Sequence, residues 1–245
     1  MIQSIERAMN ILELFLILNK NELSIKDIVS NIDLPKSTCF RIVKTLYELG
    51  YLNQNPENSK YYLSWKMLSF SDHIKENNLI IKTVKPHVVK LRDYFGETVH
   101  CSVQEDDSII YIAVEESEKK LFFRTGIGKK NYIHATAVGK AILAFNSEEN
   151  LEYILRKPLI KLTNTTITDP DIFKNELLNI RKCGYAIDNE ESVEGLFCIA
   201  VPVLRGEEAI AAISISTPSI RVSNEIKSDM IEKLLQVSKD LKNIL

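Results

Sequence analysis

Lys36, Arg41 and Lys44 are the only charged side chains between positions 36 and 46, and all three are cations. In a chain of formal net charge -2, that run makes a local basic face, suited to phosphate and base-edge contacts. A second set of residue types, Cys198, His134 and Asp188, would serve as thiol nucleophile, base and orienter. No nucleophile elbow or other catalytic signature surrounds them, and such types in strands and helix starts are more often packing residues. His100 and Cys101 read as sheet residues, and His73 and His87 as surface residues. No HExxH or H-x3-H spacing points to a metal, and Gly126-Ile127-Gly128 lacks the rest of a nucleotide fingerprint and reads as a turn. No cofactor and no metal are expected.

The basic run needs a helix to present it. Pro35 suits a first turn, because its φ is fixed and its missing N–H is not needed there. From Lys36 onward, Cys39, Ile42, Val43, Leu46 and Leu49 recur at three- and four-residue steps and draw one buried stripe. Lys36, Ser37, Phe40, Arg41, Lys44 and Glu48 occupy the other face. Upstream, Ser24 and Asp27 form a capping pair and Leu23 and Ile28 a hydrophobic staple, which predicts a short helix over 25–31. Helix, tight turn and second helix is the arrangement that enters the major groove. Ser4 is placed to cap a helix over 5–18, with Ile5, Ala8, Leu12 and Phe15 on its inner side. Downstream, 51–54 and 60–63 read as strands around Asn55-Pro56-Glu57-Asn58-Ser59, so the domain reads as a winged helix-turn-helix. Residues 1–65 hold seven Lys or Arg and seven acids, so affinity for DNA must come from clustered cations and from dimerisation.

A length of 245 residues with 45% apolar composition allows two packed cores. No apolar run is long enough to span a bilayer and no signal sequence opens the chain, which predicts a soluble cytoplasmic protein without membrane association. The four cysteines, Cys39, Cys101, Cys183 and Cys198, form no CxxC pair, so they read as reduced thiols.

After the wing, 65–70 and 77–95 read as helical, with Pro86 a kink or restart; they link the two domains. Then 97–104 and 109–115 form a hairpin, and a further strand is expected near 121–124. Thr136 is placed to cap a helix whose first residues, Ala137 and Val138, would hold free N–H groups, a natural place for a small carboxylate. Helices follow at 148–155 and 171–182. A strand then leads into the acidic loop after Asp188, a second leaves it through Cys198, and 209–216 gives another. A final helix over 223–245 places Ile226, Met230, Leu234, Val237 and Leu241 inward. Antiparallel strands bracketed by helices make an α+β domain.

The stretches LSIKDIVSNIDLPKSTCFRIVKTLYELGYL, HATAVGKA, GYAIDNEESVEGLFCIAVPV and AAISISTPSIR, in that order, resemble the IclR family of bacterial transcription regulators over nearly the whole chain. The resemblance implies a winged helix-turn-helix DNA-binding domain over 1–65, a helical linker over 66–95 and an effector-binding domain with a GAF-like antiparallel sheet over 96–245. It implies that Lys36, Ser37, Thr38, Phe40, Arg41 and Lys44, with Lys60 of the wing, meet a double-stranded DNA operator. A small organic acid would be held by the N–H groups of Ala137 and Val138, the side chains of Asp188, Cys198, Ser214 and Ser216, and Leu196 as an apolar wall. Tyr132-Ile133 stands where the family often has a Pro-apolar pair, and Val201 where Ala is common. The expected function is a ligand-controlled regulator, most simply a repressor, acting as a homodimer or dimer of dimers. The alternative is a metabolite-binding or hydrolytic protein whose N-terminal domain serves association only; turnover of small organic acids would separate the two.

Overall fold

The computed structural model describes residues 2–244. Its contacts divide the chain into two compact units, Met1–Asn77 and Asn78–Leu245. The first unit runs α1 (Gln3–Ile17), α2 (Ile25–Asn31), α3 (Lys36–Glu48), β1 (Leu52–Gln54), β2 (Tyr61–Leu63) and α4 (Lys66–Asn77). The start of α2 follows from local chemistry. Ser24 Oγ accepts from the Asp27 amide at 3.1 Å while the Asp27 carboxylate accepts from the Ser24 amide at 2.9 Å, so two orphan donors are satisfied reciprocally. Ile11, Phe15, Leu23, Ile28, Cys39, Val43, Leu46, Leu52 and Tyr61 close one core over α1, α2, α3 and the wing.

Three expectations fail at helix ends. α1 begins at Gln3 with no side-chain cap, so Ser4 is not its cap, and Ile5 is 58% exposed. Leu49 is the C-cap of α3 and is 57% exposed, because the helical period that would turn it inward has ended there.

The second unit runs α5 (Leu79–Phe95), β3 (Thr98–Glu105), β4 (Ser108–Glu115), β5 (Lys130–Tyr132), α6 (Ala137–Ala144), α7 (Glu148–Leu155), α8 (Pro170–Cys183), β6 (Ala186–Asn189), β7 (Leu196–Arg205), β8 (Glu208–Pro218) and α9 (Asn224–Lys242). Its strands form one six-stranded antiparallel sheet in the order β5-β4-β3-β8-β7-β6. Residues 121–124 form no strand; the edge partner of β4 is β5, aligned through Ser108↔Tyr132 and Ile110↔Lys130. Pro86 lies inside a continuous α5, and the turn at 126–128 is closed by the Lys129 amide donating to the Gly126 carbonyl at 3.1 Å and tied to β4 by the Gly128 amide donating to the Tyr111 carbonyl at 2.8 Å.

Period-two alternation gives the sheet two distinct faces. Val99, Cys101, Ile199, Val201, Ile213 and Ile215 pack on Val84, Val88 and Leu91 of α5 and Met230, Leu234 and Leu241 of α9. Ile226, predicted inward, is exposed in the first turn of α9. The opposite face carries Cys198, Ala200 and Ala212, and its small residues admit the wholly buried α6, with Phe173, Leu177 and Ile180 of α8 in the same core. Among the described residues no helix is long and apolar enough to cross a membrane.

Candidate functional site

On α3, Cys39, Val43 and Leu46 are buried, so the helix must present its remaining faces outward. Lys36, Ser37, Phe40, Arg41 and Lys44 are exposed there, Thr38 is half-buried, and Lys60 is exposed at the end of the turn that joins the two wing strands. Lys44 lies 3.7 Å from Glu48, one turn on; both side chains are solvated, so the pair contributes little and leaves the cation free to exchange partners. The wing is tied down from the α1–α2 turn. Glu22 accepts from the side-chain amides of Asn55 and Asn58, each at 2.8 Å, and these bonds hold its carboxyl below the ordinary value. Leu23 and Tyr61 exchange backbone hydrogen bonds at 2.9 and 2.8 Å.

The second unit holds a cavity of about 130 Å³ on the α6 side of the sheet. An engineered apolar cavity of about 150 Å³ binds benzene, so the space suits a small acid. Ala137, Val138, Asp188, Leu196, Cys198, Ser214 and Ser216, read from the sequence as one site, all line it. At one wall stands the N-terminus of α6. Thr136 Oγ1 accepts from the Gly139 amide at 3.2 Å, while the first two amides of the helix, Ala137 and Val138, have no intrahelical acceptor and the positive end of the helix dipole behind them.

The sheet supplies the opposite wall. The registers His100↔Ser214 and Cys198↔Ser216 bring these side chains onto one face. Ser216 Oγ lies 3.0 Å from Cys198 Sγ and 3.3 Å from His100 Nδ1, which is 3.4 Å from Ser214 Oγ. Burial pushes the His100 imidazole down to about 4 and the Tyr111 phenol up to about 12, so both are neutral at pH 7.

Asp188 is buried, and its oxygens are engaged by its own loop. Oδ1 accepts from the amides of Glu191 and Ser192 at 2.7 and 3.2 Å, and Oδ2 accepts from Ser192 Oγ at 2.5 Å. Burial raises its carboxyl above the ordinary range, and those bonds and the nearby Lys140 charge pull it partly back. The acid therefore shapes the pocket wall as well as facing the cavity. Behind that wall, Lys140 of α6 is 0% exposed; it donates to Glu191 at 2.5 Å and lies 3.5 Å from Glu176 of α8.

His100, Tyr111, Thr125, Asn131 and Arg124 also line the cavity and were not legible as site residues. His100 shares the cavity face with Ser214 only through a register that joins positions 114 residues apart, which no local pattern encodes. The arrangement does not make a thiol nucleophile. His134 is bonded to the Ile160 carbonyl at 3.0 Å and is absent from the cavity wall, and burial pushes the Cys198 thiol well above its ordinary value.

The model of the IclR helix-turn-helix domain matches residues 4–56, and that of the bacterial transcriptional regulator IclR C-terminal domain matches residues 73–243. The chain belongs to the IclR family of transcriptional regulators. Its IclR-family relatives include the HTH-type transcriptional regulator XynR of Escherichia coli (strain K12), 34% identical over 100% of this chain and 97% of that protein. The HTH-type transcriptional repressor AllR of Klebsiella pneumoniae is 31% identical over 90% of this chain and 82% of its own length. In fold, the chain is similar to an IclR homologue from Microbacterium hydrocarbonoxydans complexed with 4-hydroxybenzoate, with a TM-score of 0.83 and 21% identity over 98% of this chain and 99% of that one. The helix-turn-helix unit thus belongs to a DNA-binding transcription regulator with an effector-binding C-terminal domain, and the hydrolytic alternative is set aside.

Proposed function

We propose that this regulator is a cytoplasmic repressor whose grip on a DNA operator is set by a small carboxylate held in the Asn78–Leu245 cavity. The observation that carries the reading is the cavity itself, where the amide end of α6 and the hydroxyls of Ser214 and Ser216 converge on a space of about 130 Å³. Helix-end amides and hydroxyls are the donors a carboxylate needs. The carboxylate named for the Microbacterium homologue is of the same chemical class, and the repressor AllR supports the sign of control. On DNA, Lys36, Ser37, Thr38, Phe40, Arg41 and Lys44 of α3 meet the major groove and Lys60 the adjoining backbone. A homodimer, or a dimer of dimers, doubles the contact across two half-sites about one helical turn apart.

The test is a fluorescence-anisotropy titration of the full-length protein against DNA upstream of its own gene, with excess random duplex, repeated with a panel of small organic acids. Selective binding that at least one acid weakens is the expected result; an acid that tightens binding would reverse the sign of control, and indifference to every acid would sink the effector reading. Arg41→Ala is expected to cost about 1–3 kcal/mol of operator affinity while the melting temperature stays put; unchanged affinity removes Arg41 from the reading face. Asp188→Ala strips three hydrogen bonds from the 188–192 loop, so effector binding measured by calorimetry should fall at least about tenfold. Operator affinity without effector should be retained, and intact effector affinity would show that the loop holds its shape without the acid.

A further inference from the structure

Of the side chains that line the cavity, two carry charged groups, Asp188 and Arg124, and they are in opposite situations. Asp188 has both oxygens engaged by its own loop, two donors on Oδ1 and one on Oδ2. Arg124 stands at the rim with its side chain 79% exposed, and its ion-pair partner among the described residues is Glu116, with Nε donating to Oε1 at 3.3 Å.

On the reading that this cavity is the effector site, we propose that the ligand is a short diacid, one carboxylate on the amides of Ala137 and Val138 and the other on the Arg124 guanidinium. The Glu116 contact uses Nε and leaves the two terminal nitrogens, whose parallel N–H groups match a carboxylate bidentately. Because the existing pair is solvated on both sides, exchanging Glu116 for a ligand carboxylate gives up little. A helix end accepts any small acid and does not distinguish one carboxylate from two; a guanidinium at the rim does. Between the two anion-binding ends, and apart from Asp188, whose carboxylate is held by the amides of Glu191 and Ser192 and by Ser192 Oγ, the lining is uncharged. Ser214, Ser216 and Asn131 offer hydrogen bonds to the carboxylate oxygens of the ligand, and Leu196 and Val193 cover the methylenes of its chain. The volume limits that chain to a few carbons.

The experiment is calorimetric titration of the full-length protein with malonate, succinate and glutarate, each beside its half-amide, which has the same size and one charge fewer. At least one diacid is expected to bind about tenfold or more tightly than its half-amide. Arg124→Gln should erase that preference and leave half-amide affinity within about twofold, with the melting temperature unmoved because the side chain is exposed; Arg124→Lys should restore part of it. Equal affinity for diacid and half-amide, or an Arg124→Gln variant that weakens both alike, overturns the diacid assignment while leaving the pocket as a monoacid site. If neither series binds, the effector reading of the cavity falls, and this proposal falls with it.

Discussion

Gly139→Ala is expected to unfold the Asn78–Leu245 unit at temperatures where the natural protein is intact. A Cβ built on Gly139 would lie 1.9 Å from the Ile133 carbonyl oxygen and 2.6 Å from its carbon. Those are backbone atoms, so no side chain can swing aside. The helix cannot retreat either: every residue of α6 is buried, with Ala200 and Ala212 of the sheet and Phe173 and Leu177 of α8 in the same core. Overpacking in a core usually costs about 1–3 kcal/mol; a clash with rigid backbone should exceed that, at about 3–5 kcal/mol, large against the total stability of a domain. The Met1–Asn77 unit has its own core, so calorimetry should show one transition lowered steeply and the other little changed. An unshifted thermogram would mean that α6 can step away from Ile133 without cost.

Lys140→Met should cost about 3–5 kcal/mol, because removing one member of a buried ion pair leaves the other charge uncompensated. The bond to Glu191 is 2.5 Å long and both side chains are buried. Glu191 is also where the pocket loop is anchored: its amide donates to Asp188 and its carbonyl accepts from Thr166 Oγ1 at 2.6 Å. The pH dependence has a definite sign. Burial pushes the Glu191 carboxyl from 4.5 up to about 7, against the pull of Lys140. A carboxyl raised on folding contributes stability that is fully present below its unfolded value and lost as pH rises through the folded one. Without Lys140 the folded value climbs further, so the deficit of Lys140→Met should be larger at pH 8 than at pH 5. Adding Glu191→Gln should recover much of the loss at pH 8. Urea melts of the two single variants and the double variant at both pH values check this; deficits independent of pH would show that Glu191 is not the group left stranded.

The same two residues mark where reading the chain stops. Lys140 sits in HATAVGKA one turn after a cap that sequence identifies correctly, since Thr136 does accept from the Gly139 amide. Nothing in that local run says that the lysine is buried, because its burial depends on Glu191, 51 residues away. Caps, staples and apolar stripes act over three or four residues. For that reason Ser24, Asp27, the start of α3 at Lys36 and the span Glu148–Leu155 of α7 were all legible, and with them the helix-turn-helix order. Errors fell where a local pattern meets an end or a partner. Ile5, Leu49 and Ile226 are apolar and in phase but exposed at helix termini. Residues 121–124 have strand-forming types, yet β4 pairs with Lys130–Tyr132 instead.

The sequence by itself determined most of the helical and extended segments, the edge strand Lys130–Tyr132 and the full length of α4 excepted, together with the cations displayed on α3 and the family resemblance, because each is written in neighbouring residues. Only the tertiary structure decided that His100 faces the same cavity as Ser214 and Ser216, that both oxygens of Asp188 are engaged by its own loop, and that Arg124 stands at the rim with donors to spare. Those facts depend on strand register and on burial. Both are set by contacts between segments far apart in the chain, where a shift of one residue would turn every side chain of a strand to the other face.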